Sequence, residues 1–196
     1  MRLLKRNRAV ESKVVADKIK VLLPSFCPKL NSNKSTDLAI ASIEYYAKVN
    51  RNVNIEVVSF GDYDAGEFTA SNVHHNYLGY VGCEDLIDAI DACHISLVLS
   101  KFETFGQVVA ESMARGTPVI ARSNTAISEM ITHKRDGYLV EQSDVESVAI
   151  AMEWFRTNEQ YEKVCTESRT KVGMLMDTTA FEVLYFKILK EFYYEK

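Results

Sequence analysis

The stretch "HISLVLSKFETFGQVVAESMARGTPVIA", residues 94–121, decides the fold. Its first seven residues have a near-continuous apolar centre, which is typical of a strand buried on both faces of a parallel sheet. Gly106 then begins a helical pattern over about 106–115, and an apolar strand follows at 118–121. Strand, helix and strand with short connections predict a βαβ unit, in which the two strands lie parallel.

The same alternation runs along most of the chain. Further strands are predicted at 18–23, 53–60, 73–81 and 137–140, and further helices at 35–49, 84–92 and 126–132. The last third is predicted to be helical, with capping boxes at Ser143 with Glu146 and at Thr179 with Glu182. We therefore expect an α/β fold with a Rossmann-like, doubly wound parallel sheet. One domain is expected over 18–196, after a basic leader or linker at 1–17.

Composition excludes several classes of function. The chain has 196 residues, of which 47% are hydrophobic and 26% charged, as in ordinary globular domains. A net charge of -4 argues against nucleic-acid binding through the overall field. Basic residues cluster at 1–13, which favours a solvated leader, with weak association with an anionic membrane surface as the alternative. Neither a membrane-length apolar run nor a signal-peptide core is present in the sequence.

Cysteines and acidic pairs give little support for a metal site. The four cysteines are widely spaced and form no Cys-x-x-Cys, which favours reduced thiols in a cytoplasmic protein. The string Asp62-Tyr63-Asp64 matches the Asp-x-Asp motif of one class of metal-dependent enzymes, the GT-A glycosyltransferases. Paired carboxylates suit a divalent cation. Because it follows Gly61 at a predicted strand end, we interpret it as a loop. We predict neither a metal nor another cofactor.

Three segments follow predicted strands at the edge where open parallel sheets bind ligands, outside the carboxyl ends of the strands. They are residues 24–36, 61–67 and 100–107. In the last of them, the N–H groups near Gly106 and at the two residues after it are free at the start of a helix. Together with the helix dipole, these groups favour an anion.

Charged side chains surround these amides in a pattern that suits a nucleotide diphosphate-sugar. Glu103 precedes the turn and Glu111 lies more than one turn into the helix, and ionised carboxylates accept hydrogen bonds from pairs of sugar hydroxyls. Lys29 and Lys34 precede the first helix and would hold a diphosphate from its other side. Each of these residues alone is more often a solvated surface residue. Their coincidence at matching strand ends favours the sugar-nucleotide site.

Residues 100–121, "SKFETFGQVVAESMARGTPVIA", resemble the C-terminal half of retaining glycosyltransferases of the GT-B fold, the glycosyl transferases group 1 family. The resemblance extends over most of residues 19 to about 190. The residues that match the family pattern are Ser100, Glu103, Phe105, Gly106, Glu111, Ala114, Gly116, Thr117, Pro118, Val119, Ala121, Ile127, Glu129, Gly137, Leu139 and Val140.

The resemblance implies a role for each candidate site residue. Glu103 would contact the donor sugar or the reacting centre, and Glu111 would hold the ribose hydroxyls. Lys29 and Lys34 would stabilise the departing diphosphate electrostatically. Backbone amides facing the sugar and phosphate would come from Phe105, Gly106, Gln107 and Val108.

This sequence departs from the family pattern at several positions. Lys29 stands for the family's arginine, which keeps the charge but loses bidentate phosphate binding. Ser35 stands for the glycine after Lys34, Thr125-Ala126 for a common Gly-Gly, and Ser128 for the usual proline. These changes bear on affinity and donor identity more than on fold.

The resemblance also implies that a second, acceptor-binding domain is required. Family members carry an N-terminal domain that supplies the acceptor, so this chain is expected to be a donor half that is inactive without such a domain in cis or in trans. The expected reaction is transfer of a hexose from a nucleotide diphosphate to an acceptor hydroxyl with retention, in polysaccharide, lipopolysaccharide or glycan biosynthesis. The alternative is a non-catalytic Rossmann-like scaffold or regulatory subunit. A dinucleotide-binding dehydrogenase fits poorly, because no Gly-x-Gly-x-x-Gly follows the first strand.

Overall fold

Six strands form a single sheet in the computed structural model, which describes residues 17–66, 68–142 and 144–175. The strands are β1 (Lys18–Ser25), β2 (Asn54–Gly61), β3 (Val73–Tyr77), β4 (Ile95–Val98), β5 (Val119–Arg122) and β6 (Tyr138–Val140). The helices are α1 (Thr36–Val49), α2 (Cys83–Ala92), α3 (Gln107–Ala114), α4 (Ile127–Met130), α5 (Val145–Thr157) and α6 (Tyr161–Leu175). Of these helices, none combines the length and the apolar character that crossing a bilayer requires.

The sheet is parallel throughout, in the order β3-β2-β1-β4-β5-β6. The chain runs outward from β1 to β3, returns to the centre at β4, and runs outward again to β6. The predicted Rossmann-like, doubly wound fold is confirmed. The winding direction reverses between β1 and β4, and a ligand crevice opens at such a reversal because the loops on either side diverge.

Helices cover both faces of the sheet. On one face, α1 and α5 pack over the alternate apolar residues of β1, β2 and β4. On the other, α2 packs near β1, and α3 and α4 pack over β5. All four residues of β4 are buried, as its apolar centre predicted. Tyr46 of α1 donates a hydrogen bond of 2.7 Å to Glu153 of α5, which Arg156 also binds, so a polar contact joins these two helices.

Most predicted boundaries agree with the structure within two residues, with two notable differences. The third strand ends at Tyr77 rather than at residue 81, and Gly79 turns the chain with φ of 69°. The helix cap predicted at Ser143 falls on a residue outside the described ranges. The structure has Asp144 as the N-cap of α5, and its carboxylate accepts the N–H of Ser147 at 2.7 Å. The box at Thr179 with Glu182 lies outside the described residues.

Candidate functional site

A cavity of about 520 Å³ opens at the carboxyl ends of β1 and β4. This volume lies within the range of small-molecule sites. Apolar residues from these strands and from α1 and α3 form much of its lining: Leu23, Pro24, Ala39, Leu97, Val98, Leu99, Val108 and Val109. The polar residues and the remaining lining come mainly from the two loops: Phe26, Lys34, Ser100, Glu103, Thr104, Phe105, Gly106 and Gln107. Two of the three predicted segments, 24–36 and 100–107, therefore meet in one cavity.

Lys34 and Glu103 form an ion pair in this cavity. The Lys34 Nζ lies 2.5 Å from Oε1 of Glu103, and the two side chains are 29% and 15% exposed. The ammonium also lies 5.9 Å from the centre of the Phe26 ring. An ammonium has three donors, so pairing with one carboxylate leaves others for a ligand. Lys34 and Glu103, which were predicted from separate segments of the sequence, thus form an ion pair, and the ammonium lies beside the cavity.

Asn33 joins the two loops and was missed by sequence reasoning. Its side-chain amide accepts the N–H of Phe102 at 2.8 Å and donates to the carbonyl of Phe102 at 2.9 Å. Its own carbonyl accepts the N–H of Lys101 at 2.7 Å. These bonds fix the loop that carries Lys34 against the loop that carries Glu103. Little in the sequence indicates this role, because the side chain of an asparagine in a polar loop usually forms hydrogen bonds within its own turn.

Gly106 shapes the start of α3. It adopts φ of 75° and ψ of 61°, and a Cβ there would lie 3.0 Å from Cγ1 of Ile127. Among the described residues no side chain caps α3, so the first-turn N–H groups at Gln107 and Val108, both in the cavity lining, are left for another acceptor. The half-exposed Phe105 ring lies at the same edge of the cavity. The predicted anion-binding amides are therefore at the cavity.

Glu111 and Lys29 lie outside the cavity lining. Glu111 is half-buried one turn along α3, and Nε2 of Gln107 donates to its Oε1 at 3.4 Å. Burial raises the pKa of the Glu111 carboxyl above its ordinary value, and the Gln107 hydrogen bond offsets only part of this effect. Lys29 is exposed, and within the described part of the chain its ammonium has no ion-pair partner. Among the described hydrogen bonds and ion pairs, none joins Lys29 or Glu111 to the Lys34–Glu103 pair.

The two aspartates of the Asp-x-Asp string serve separate loops. Asp62 Oδ1 accepts the N–H of Cys27 at 2.8 Å, while Asp64 Oδ1 accepts the N–H of Gly66 at 2.9 Å. The first bond attaches the loop after β2 to the loop after β1. Across residues 17–66, 68–142 and 144–175, no three His, Cys, Asp or Glu side chains converge as metal ligands would. In the structure, both aspartates thus accept hydrogen bonds from the backbone of loops.

Arg122 is a second residue that sequence reasoning missed. It ends β5, is 9% exposed, and donates from Nη2 to the Ser35 hydroxyl at 3.2 Å. Burial lowers the pKa of its guanidinium. An arginine after three apolar residues gives no sign in the sequence of whether it points to solvent or inward.

A second cavity of about 640 Å³ lies elsewhere, alongside β2, β3 and α2. Its lining includes residues from the middle of the strands, such as Val57, His74 and His75. It thus lies away from the reversal of the sheet, and the cavity with the ion pair and the uncapped helix is the better candidate for a ligand site.

Comparison with known proteins identifies a family and similar chains. The family model described as "Glycosyl transferases group 1" matches residues 26–172. N-acetyl-alpha-D-glucosaminyl L-malate synthase from Bacillus anthracis is 26% identical over 161 residues, which is 76% of this chain and 42% of that protein. The chain thus spans less than half the length of this relative.

Solved structures show the same fold. HepE of Anabaena in complex with UDP-glucose superposes with a TM-score of 0.71 at 18% identity, over 89% of this chain and 49% of that one. The pneumococcal O-GlcNAc transferase GtfA in complex with UDP and GlcNAc superposes with a TM-score of 0.68 at 15% identity, over 89% of this chain and 36% of that one. Both matches cover half or less of the other chain.

Proposed function

The chain belongs to the glycosyl transferases group 1 family, and from this premise we propose that its cavity binds the nucleotide diphosphate-sugar donor of a retaining hexosyl transfer. The observation that carries the proposal is the Lys34–Glu103 pair beside a helix start with free amides, at the reversal of the sheet. The two solved structures above contain UDP, which supports a nucleotide as ligand.

Each candidate site residue, inside or outside the cavity lining, has a chemical role in the proposed reaction. As the bond between sugar and diphosphate breaks, negative charge grows on the leaving group, and Lys34 with the amides of Gln107 and Val108 stabilises it. Exposed Lys29 adds a weaker, longer-range attraction. Glu103, held by Lys34, accepts hydrogen bonds from the hydroxyls of the donor sugar, and Glu111 accepts those of the ribose.

The proposal includes a second domain. Because the chain spans less than half of the Bacillus anthracis relative, an N-terminal acceptor-binding domain, in cis or in trans, supplies the acceptor hydroxyl. Without it, the chain binds the donor but transfers no sugar. The acceptor belongs to a polysaccharide, lipopolysaccharide or other glycan made in the cytoplasm, and the positive charge of the sequence at 1–13 favours attraction to an anionic membrane surface.

Calorimetric titration with UDP, GDP and ADP and their hexose conjugates tests the proposal. We expect binding of at least one nucleotide, unchanged by a chelator because no metal takes part. Absence of heat with every ligand would favour the alternative, a non-catalytic scaffold. A chelator that abolished binding would instead support metal binding by Asp62 and Asp64.

Replacing Glu111 with alanine is expected to weaken nucleotide affinity by about 1–3 kcal/mol, because hydrogen bonds to a half-buried carboxylate are lost. The raised pKa of Glu111 adds a pH dependence. Ribose hydroxyls stabilise the ionised carboxylate, so the nucleotide-bound state has the lower pKa. Affinity therefore falls as the pH falls through the pKa of the free chain, and calorimetry from about pH 8 toward 5 measures this.

Two variants control this prediction. Glu111→Gln keeps the shape and should flatten the pH dependence, whereas Glu84→Ala removes an exposed carboxylate in the first turn of α2 and should change neither affinity nor its pH dependence. An unchanged affinity in Glu111→Ala would contradict the ribose role.

A further inference from the structure

Arg122 is a buried cation with unused hydrogen-bonding capacity. It is 9% exposed, and its side chain reaches the N-terminus of α1, where Nη2 donates to the Ser35 hydroxyl at 3.2 Å. Its buried Nε has no hydrogen-bond partner among the described residues. A guanidinium carries five N–H donors, and a buried donor left without an acceptor is costly, so this one is expected to meet an acceptor in some state of the protein.

Within the part of the chain that the structure describes, the N-terminus of α1 beside it also has no capping acceptor. Ser35 is the N-cap in a left-handed conformation with φ of 52°, and its side chain does not cap the helix. The Thr36 hydroxyl instead accepts the N–H of Phe26 at 3.0 Å. The first-turn amides of this 14-residue helix therefore point outward, with the positive end of the helix dipole, near a positive guanidinium.

Two positive groups placed together favour an anion between them. Asp37 is the acid whose charge acts on Arg122, but it lies exposed in the first turn of α1 and forms no ion pair with the guanidinium within the described residues. Lys34, immediately before Ser35, is already paired with Glu103. Among the described residues, no side chain forms an ion pair with Arg122, in contrast to Arg115, which is buried against Asp91.

We propose that Arg122 and the first turn of α1 bind oxyanions of the donor diphosphate next to Lys34. The diphosphate is then held between the starts of two helices, α1 and α3, that flank the reversal of the sheet. The planar guanidinium of Arg122 can donate two parallel hydrogen bonds to one phosphate group, which the ammonium of Lys29 cannot. This inference rests on the proposed function and adds a residue that selects a diphosphate over a monophosphate.

The test uses the full chain and calorimetry with UDP, GDP and ADP, followed by the monophosphate and the nucleoside of whichever nucleotide binds. In Arg122→Gln we expect the diphosphate to bind roughly ten- to hundredfold more weakly, with nucleoside affinity retained, so that the preference for two phosphates is lost. Ser35→Gly suits the left-handed backbone and removes the hydroxymethyl side chain that accepts from Arg122, and it should alter diphosphate affinity less than about threefold.

The outcomes separate the possible explanations. Equal diphosphate affinity in folded Arg122→Gln and the unchanged chain would overturn the inference, and so would a Ser35→Gly variant as weak as Arg122→Gln, because Arg122 would then act only by positioning Ser35. If the unchanged chain binds none of the nucleotides, the proposed function itself fails, and this inference with it.

A measurement on the unchanged chain covers the case in which Arg122→Gln does not fold. In nitrogen-15 spectra, the Arg122 Nε–H signal, assigned through its proximity to Ser35, should shift on addition of the diphosphate but not of the nucleoside. Binding of the diphosphate without that shift would overturn the inference.

Discussion

Replacing Lys34 with methionine is expected to lower nucleotide diphosphate affinity roughly ten- to hundredfold, because the cation beside the cavity is lost and Glu103 is left as an unpaired negative charge there. Methionine keeps most of the length and apolar character of the side chain, so the loss reports on charge. Calorimetry with UDP, GDP and ADP measures it, and raising the salt concentration should reduce the difference between the variant and the unchanged chain.

Companion variants separate local charge from long-range charge. Lys101→Met removes an exposed ammonium from the loop that carries Glu103 and should leave affinity nearly unchanged. The double variant Lys34→Met with Glu103→Gln removes both charges of the pair and should bind the diphosphate better than Lys34→Met alone. If Lys34→Met and Lys101→Met had the same affinity, the role of Lys34 at the diphosphate would be contradicted.

Replacing Gly61 with alanine is expected to destabilise the fold by about 4 kcal/mol or more. Gly61 ends β2 with φ of 132°, a conformation that side chains rarely allow. A Cβ at this position would lie 2.1 Å from the carbonyl oxygen of Ser25, the last residue of β1, so the backbones of two paired strands would have to separate. Denaturant unfolding followed by circular dichroism measures the change.

Gly79 provides a matched control. It also has positive φ, at 69°, but a Cβ there would meet no atom within 4 Å. Gly79→Ala should therefore cost only about 1–2 kcal/mol, the penalty of the left-handed conformation itself. If the two variants unfolded at the same denaturant concentration, close approach to Ser25 would not be the reason that glycine is needed at position 61.

The fold was predictable because its signals are local. The apolar run that became β4 and the glycine that starts α3 specify a strand and a helix from neighbouring residues alone. The cap of α5 was harder to predict, because Ser143 and Asp144 are both residue types that cap helices. The Asp144 carboxylate accepts the Ser147 amide, and Ser143 lies outside the described residues. The family assignment from the motif at 100–121 is confirmed by the family match over residues 26–172.

The candidate site was predictable in part. Strand ends placed Lys34 and Glu103 at the same edge of the sheet, and the structure brings them to 2.5 Å. Lys29 and Glu111 were predicted alongside them and lie outside the cavity lining, and the local sequence does not fix the direction of either side chain. The roles of these residues in donor binding remain predictions for the experiments above.

The sequence by itself determined the alternation of strands and helices, the parallel sheet and the family, since each of these depends on periodicity or on a contiguous motif. Only the tertiary structure decided which charges meet. The contacts of Lys34 with Glu103, of Asn33 with Phe102 and of Arg122 with Ser35 join residues 69, 69 and 87 positions apart. Short-range patterns carry no information on such pairs, because the winding of the sheet around β1 and β4 is what places their loops together.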